Sequence, residues 1–302
     1  MRTETEAFPH STLPVPRAAV PLWRRRSLRR RLPLVGTNLV ILIGAFVVSI
    51  PLLWMLSTSV KDPGDVFLQP PQWIPSVFRW ANYAEAVNAI PFWTYTTNSI
   101  IITALGVIGE VVSCSLVAYA FARLRSRDKD VLFLILLSTM MLPGEVKLVP
   151  TYLMFRWFGW LNTFLPLVVP HFFGGAFYIF LLRQFFLTLP LEMDEAAKVD
   201  GAGYLRIFWN IILPLAKPAL ATVAIFSFYS IWNDFLSPLI YLSKEDNYTL
   251  PLGLQAFIGA YGVIHWTWLM AASVLALIPC VVIFFTFQRW FIEGAVLSGL
   301  KG

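Results

Sequence analysis

Few side chains in this 302-residue chain are placed to do chemistry, and they fall in three places. The first is Glu195-Ala196-Ala197 followed by Gly201, with Glu192, Asp194 and Asp200 around it and Tyr204 beyond. Acids near the start of a short helix suit the positive end of its dipole, and Gly201 with Ala202 and Gly203 permits a tight turn. Tyr204, Leu205, Ile207, Phe208, Ile211 and Ile212 then supply an apolar face, and Pro214 and Pro218 close the segment. That pattern suits a docking surface. The second place is Trp232-Asn233-Asp234, where two side chains offer hydrogen bonds to hydroxyl groups and one offers a flat ring. The third is Glu110, a lone acid in an apolar run. Glu145 and Lys147 beside Pro143 form a smaller polar group, suited to a local cluster or to interface exposure. His171 and His265 stand alone and are read as non-catalytic, and Cys114 and Cys280 as small buried residues. There is no C-x-x-C, H-E-x-x-H, G-x-S-x-G or G-x-x-x-x-G-K-[ST], so no catalytic residue, cofactor site or metal ligand is assigned.

The elements that carry these residues are set by hydropathy. Apolar types make up 58% of the chain and charged types 13%, with a mean hydropathy of +0.69. A soluble domain averages about 25% charged residues, so a single water-soluble globule is excluded. Stretches of about 20 apolar residues are long enough to cross a bilayer. Six are expected, at 34–58, 97–122, 131–155, 161–186, 219–242 and 268–290, after a basic tail over 1–32 and with the acidic loop at 188–218. The first follows Arg24, Arg25, Arg26, Arg29, Arg30 and Arg31 and is too long for the core of a cleaved signal peptide, so it reads as an anchor. The segment from 250 to 265 is rich in glycine and polar residues and reads as an external loop, with insertion in the membrane as the other option.

Basic residues orient these spans. With the N-terminus inside and six spans, 18 of the 23 Lys and Arg fall on the inner side, four of them in the short stretch Arg123, Arg125, Arg127 and Lys129. This asymmetry predicts both termini in the cytoplasm. The net charge of +6 is divided among these short flanking patches, which argues against nucleic acid as the partner and for lipid. An Asp at mid-membrane costs about 2.5–3.5 kcal/mol on insertion scales. Asp234 should therefore face protein or a watery cavity, either near a translocation path or holding helices together. Glu110 follows the same logic, and pairing with another helix is favoured for it.

The spacing Glu195-Ala196-Ala197, three residues, Gly201, nine residues, Ile211, one residue, Leu213-Pro214 resembles the EAA loop in the membrane-spanning subunits of ABC importers. Further blocks extend the likeness over nearly the whole chain. They are AYAFARLRSRD from Ala118, Trp232-Asn233-Asp234-Phe235 with Pro238, Thr249-Leu250-Pro251 with Gly253-Leu254, and the glycine-rich 294–302. Together they are similar to the carbohydrate-uptake permeases, in particular the smaller permease subunit of maltose-type systems. The basic N-terminal tail is longer than the family needs.

The resemblance implies an all-α, polytopic type I importer permease of the cytoplasmic (inner) membrane, with six transmembrane helices. It also implies a coupling helix in which Glu195, Ala196, Ala197, Asp200, Gly201, Tyr204 and Pro214 meet an ATP-binding subunit. A homologous second permease, two ATP-binding subunits that hold the ATP and Mg, and an external substrate-binding protein would complete the assembly. Trp232, Asn233, Asp234 and Glu110 are candidates for the translocation path. An ion-gradient-driven secondary transporter would share the spans, prolines and intramembrane acids, but would leave the organised acidic loop without a purpose.

Overall fold

The computed structural model describes the backbone of residues 26–259 and 264–299 and the side chains of 37–259 and 264–288. The expected basic tail up to residue 25, part of the 250–265 segment and the last three residues lie outside the described residues. In chain order the helices are α1 (Arg26–Ser59), α2 (Ala81–Ala89), α3 (Phe92–Arg123), α4 (Lys129–Ser138), α5 (Gly144–Trp157), α6 (Leu165–Val168) and α7 (Ala176–Thr188). They continue with α8 (Glu192–Val199), α9 (Tyr204–Ile207), α10 (Leu213–Leu215), α11 (Lys217–Trp232), α12 (Leu236–Tyr241), α13 (Leu250–Gly253) and α14 (Trp266–Gly299). Among the described residues there is no β-strand, only an isolated bridge between Ile258 and Ile264.

The chain divides into a first unit ending at Leu53 and a second beginning at Trp54. In the first, no side chain from Thr37 to Leu53 is buried. Thr37–Ser59 has a mean hydropathy of 2.7 over its most apolar stretch, the composition of a helix solvated by hydrocarbon. In the second unit α3 is the axis, and α7 and α11 pack along it. Cys114, Ala118, Tyr119 and Ala122 of α3 share one core with Ile179, Leu182 and Phe186 of α7 and with Ile207, Phe208, Ile212 and Val223. A second core joins Phe92 and Tyr95 to Trp232, Leu250, Phe257, Ala271 and Ala272.

Among the described residues, four segments are long and apolar enough to cross a membrane: Thr37–Ser59, Phe92–Arg123, Leu165–Thr188 and Trp266–Gln288. Two further pairs qualify only when taken together, Lys129–Met141 with Gly144–Trp157, bent by 98°, and Tyr204–Leu215 with Lys217–Trp232, bent by 80°. The expected third span at 131–155 is thus broken. Pro143 is extended at ψ 141° and forces Leu142 out of the helical region. Pro150 is accommodated inside α5.

The expected fifth span at 219–242 also differs, because α11 ends at Trp232 and the chain breaks before α12. Pro238 lacks the N–H that an unbroken helix would need, and the break moves it into the first turn of α12, where none is required. The first helix starts at Arg26, so the later arginines of the basic cluster lie within it.

The 250–265 segment forms short turns from Leu250 to Phe257, laid on the N-terminal end of α3. Asn98 donates to the carbonyls of Asp246 (2.8 Å) and Tyr248 (2.9 Å), the Ser99 hydroxyl accepts the Leu250 N–H, and the Tyr95 hydroxyl donates to Glu245.

Candidate functional site

At the other end of α3, the residues after α7 fold into a helical hairpin. Glu192, Asp194 and Glu195 occupy the first turn of α8, where acids complement the helix dipole. The helix stops because Gly201 adopts φ +80°, a left-handed conformation that costs other residues energy. The Gly201 N–H then bonds the Lys198 carbonyl (3.0 Å) and the Ala202 N–H reaches the Ala197 carbonyl (2.9 Å). These two bonds are the Schellman closure that satisfies the last carbonyls of a helix. The chain re-enters through α9 and a single π-type turn at Phe208–Ile212.

The two faces of this hairpin differ. Ile207, Phe208 and Ile212 are fully buried in the α3–α7 core. Glu195, Ala196, Asp200, Gly201, Tyr204 and Pro214 are exposed, with Ala197 half-buried. Val199 is 89% exposed and Leu205 67%, so an apolar ridge on an acidic hairpin has no cover among the described residues. Asp194 turns the other way. Its carboxylate is buried beside Arg123, the last residue of α3, at 3.8 Å. The Arg123 guanidinium also donates to the carbonyls of Phe186 and Leu189, both at 2.8 Å, which close the end of α7. The Tyr119 hydroxyl, one turn back along α3, donates to the Tyr204 carbonyl (3.1 Å). Arg123 and Asp194 were not among the site residues expected from sequence. The charge of Arg123 pointed only to topology, and Asp194 was one acid in a run of three.

Trp232 is 3% exposed. Its ring stacks on Phe228 at 5.7 Å, and its indole N–H donates to the Ala276 carbonyl of α14 (3.1 Å). The flat face expected for a sugar is therefore covered by Phe228. Asn233 is exposed and donates to the Tyr229 carbonyl. Asp234 is half-buried, and its carboxylate accepts the Ser237 N–H (3.1 Å) at the start of α12. These three residues lie together at the break in the fifth segment.

Glu110 sits elsewhere along α3, at the break ahead of α7. One carboxylate oxygen accepts the Gly175 N–H at 2.6 Å and the Cys114 thiol at 3.3 Å, and the other meets Nδ1 of His171 at 2.7 Å. Gly174 takes φ +78° here, and a Cβ on Gly175 would stand 2.7 Å from the Glu110 carboxylate. The glycine pair is thus what lets an acid from one span enter the break of another. The partnership of Glu110 with His171 was not foreseen.

An apolar groove of about 510 Å³ runs between α3, α11 and α14, past Ile100, Val107, Ala224, Phe228 and Val282. Its lining is almost wholly apolar, with Thr103 supplying its one hydroxyl, and so offers little to orient a sugar.

A polytopic helical body with interrupted spans and an exposed helical hairpin defines a membrane transport subunit. The chain belongs to the family of binding-protein-dependent transport system inner membrane components, whose pattern matches residues 110–295. It is 34% identical over 268 residues to the sn-glycerol-3-phosphate transport system permease protein UgpE of Yersinia pestis, covering 86% of this chain and 95% of that one. It is 32% identical over 279 residues to the diacetylchitobiose uptake system permease protein DasC of Streptomyces coelicolor, covering 92% and 100%. Among solved structures, a bacterial ABC transporter that imports the acidic polysaccharide alginate aligns with a TM-score of 0.77 at 26% identity, over 86% of this chain and 97% of that one. The protein is a permease subunit of an ABC importer, with the fold of that class, and a multi-pass component of the cytoplasmic membrane.

Proposed function

We propose that this permease moves a sugar or a related polyol or glycoside inward by alternating access, driven by ATP hydrolysed on partner subunits. The observation that carries the coupling is the hairpin of α8 and α9. Its inner face is welded into the core, while Glu195 and the apolar ridge of Val199 and Leu205 stay exposed. Two ATP-binding subunits hold the nucleotide and Mg, since this chain has no phosphate-binding loop. One of them seats on the hairpin, with Glu195, Asp200 and Tyr204 at the contact and Gly201 and Pro214 setting its shape. The arrangement of basic residues supports six spans with both termini in the cytoplasm, each bent pair counting as one span.

The remaining partners are a homologous second permease and an external substrate-binding protein. Relatives named for diacetylchitobiose and sn-glycerol-3-phosphate support a carbohydrate-type cargo. Closure of the ATP-binding pair moves the hairpins and shifts the population between inward- and outward-open states. Trp232, Asn233 and Asp234 mark the segment nearest the path, with the two polar side chains as its hydrogen-bonding groups.

The test is copurification of the ATP-binding subunit with the wild-type permease and with Glu195→Lys, together with vanadate-sensitive uptake. Glu195→Lys should stay inserted, lose the subunit and lose uptake. Undiminished uptake by that variant, following an ion gradient instead of ATP, overturns the assignment.

A further inference from the structure

The outer face of the hairpin accounts for docking, but docking alone moves nothing unless the hairpin is tied to a span. Its apolar packing joins it to the core, but dispersion and burial are not directional and do not by themselves fix one register. A directional tie requires hydrogen bonds or charge. Among the described residues, the α8–α9 hairpin has a hydrogen bond to α3, from the Tyr119 hydroxyl to the Tyr204 carbonyl, and one buried charge contact with the transmembrane body, that of Asp194 with Arg123.

The geometry points to Arg123 as the positioning residue that carries motion of α8 to α3, and this rests on the docking proposed above. The guanidinium is almost fully buried, with 1% of the side chain exposed, and so is the Asp194 side chain at 6%. Two of its bonds go to Phe186 and Leu189, at the negative end of α7. Its other arm faces Asp194 at 3.8 Å, an attraction of charges beyond hydrogen-bond reach. Nε of Arg123 and Oδ1 of Asp194 have no hydrogen-bond partner, so the pair has unused capacity on both sides.

A buried ion pair cannot be separated cheaply, because each charge would be left without solvent or partner. Asp194 must therefore drag Arg123 when α8 is displaced, and Arg123 carries the ends of α3 and α7 with it. The unused donor and acceptor allow the two groups to draw closer without breaking the contacts to α7. Glu195, one residue away, faces outward, so the same turn of helix grips the partner with one acid and the span with the other.

The experiment uses the whole transporter, both permeases with the ATP-binding subunits and the binding protein, in proteoliposomes. Its readout is substrate moved per ATP hydrolysed. Asp194→Asn removes the charge with little change of shape, and Arg123→Met removes the guanidinium. Both should retain the ATP-binding subunit and hydrolyse ATP, while substrate moved per ATP falls at least tenfold in Arg123→Met and severalfold in Asp194→Asn. Arg123→Lys keeps a charge but not the fork, and should fall between Arg123→Met and wild type. A wild-type ratio in Asp194→Asn overturns the proposal, even where Arg123→Met yields no complex. Loss of the ATP-binding subunit from Asp194→Asn also overturns it, by making the pair an assembly contact. Failure of the wild-type permease to retain that subunit would instead remove the docking assignment on which this rests.

Discussion

The carboxylate of Glu110 lies 2.7 Å from Nδ1 of His171, across two segments that are each apolar enough to span a membrane. The same carboxylate accepts the Gly175 N–H that begins α7. One acid thus supplies an acceptor to the first turn of a broken helix and fixes the side chain on the other side of the break. Hydrogen bonds to a charged group of this kind contribute about 1.5–3 kcal/mol each. Glu110→Gln should lower the thermal stability of the purified protein in detergent by an amount in that range. A double-mutant cycle with His171→Ala should give a coupling energy above about 0.5 kcal/mol. Additive effects of the two substitutions would mean that the contact contributes nothing of its own.

Gly201 should be the least replaceable residue of the hairpin. Its φ of +80° places a side chain against its own carbonyl, at a cost of about 1–2 kcal/mol for alanine. No neighbour lies within 4 Å of the position a Cβ would take, so the cost is conformational and not steric crowding. Gly201→Asn should therefore be milder than Gly201→Ala, since asparagine visits the left-handed region more readily. Proteolysis within 192–207 should rise in the order wild type, Asn, Ala. Equal protection of all three would show that the turn is held by something other than its backbone.

Lys61 offers a test by pH. It is fully buried, its ammonium sits 3.8 Å from the ring centre of Trp54, and it has no hydrogen-bond partner. Burial pushes its pKa below the ordinary lysine value, and the nearby Asp65 partly offsets this. The unfolded chain then holds the proton more tightly than the folded one. Stability should rise with pH from the lowered folded value up to about 10.4, the unfolded value. Lys61→Met should remove that slope and melt at or above the wild-type temperature at pH 7. A lower melting temperature would mean that the cation–ring contact outweighs the desolvation.

What was legible in the sequence was what is encoded locally. The hairpin could be read because acids, alanines and a terminating glycine lie within a few residues of one another. The four long apolar segments could be read because their hydropathy is continuous. Glu110 and His171 could not be matched, since 61 residues separate them and each looks solitary in its own run. Asp194 and Glu195 look equivalent on paper. A helix turns by about 100° per residue, and that rotation sends one to Arg123 and the other to solvent. Trp232 misled for a related reason. Phe228 is one turn before it, and spacing of this kind brings side chains together, yet an aromatic beside two polar groups reads more readily as a binding face.

The interruptions at Pro143, at Gly174–Gly175 and between Trp232 and Leu236 also say where lipid is not. A helix that stops and restarts leaves backbone donors and acceptors bare, and hydrocarbon penalises each by several kcal/mol. Those points must be turned toward protein or water, while the apolar stretch from Thr37 to Leu53, with no buried side chain, can meet acyl chains. The breaks therefore mark stretches that must be shielded from acyl chains, as the Gly174–Gly175 break already is by Glu110.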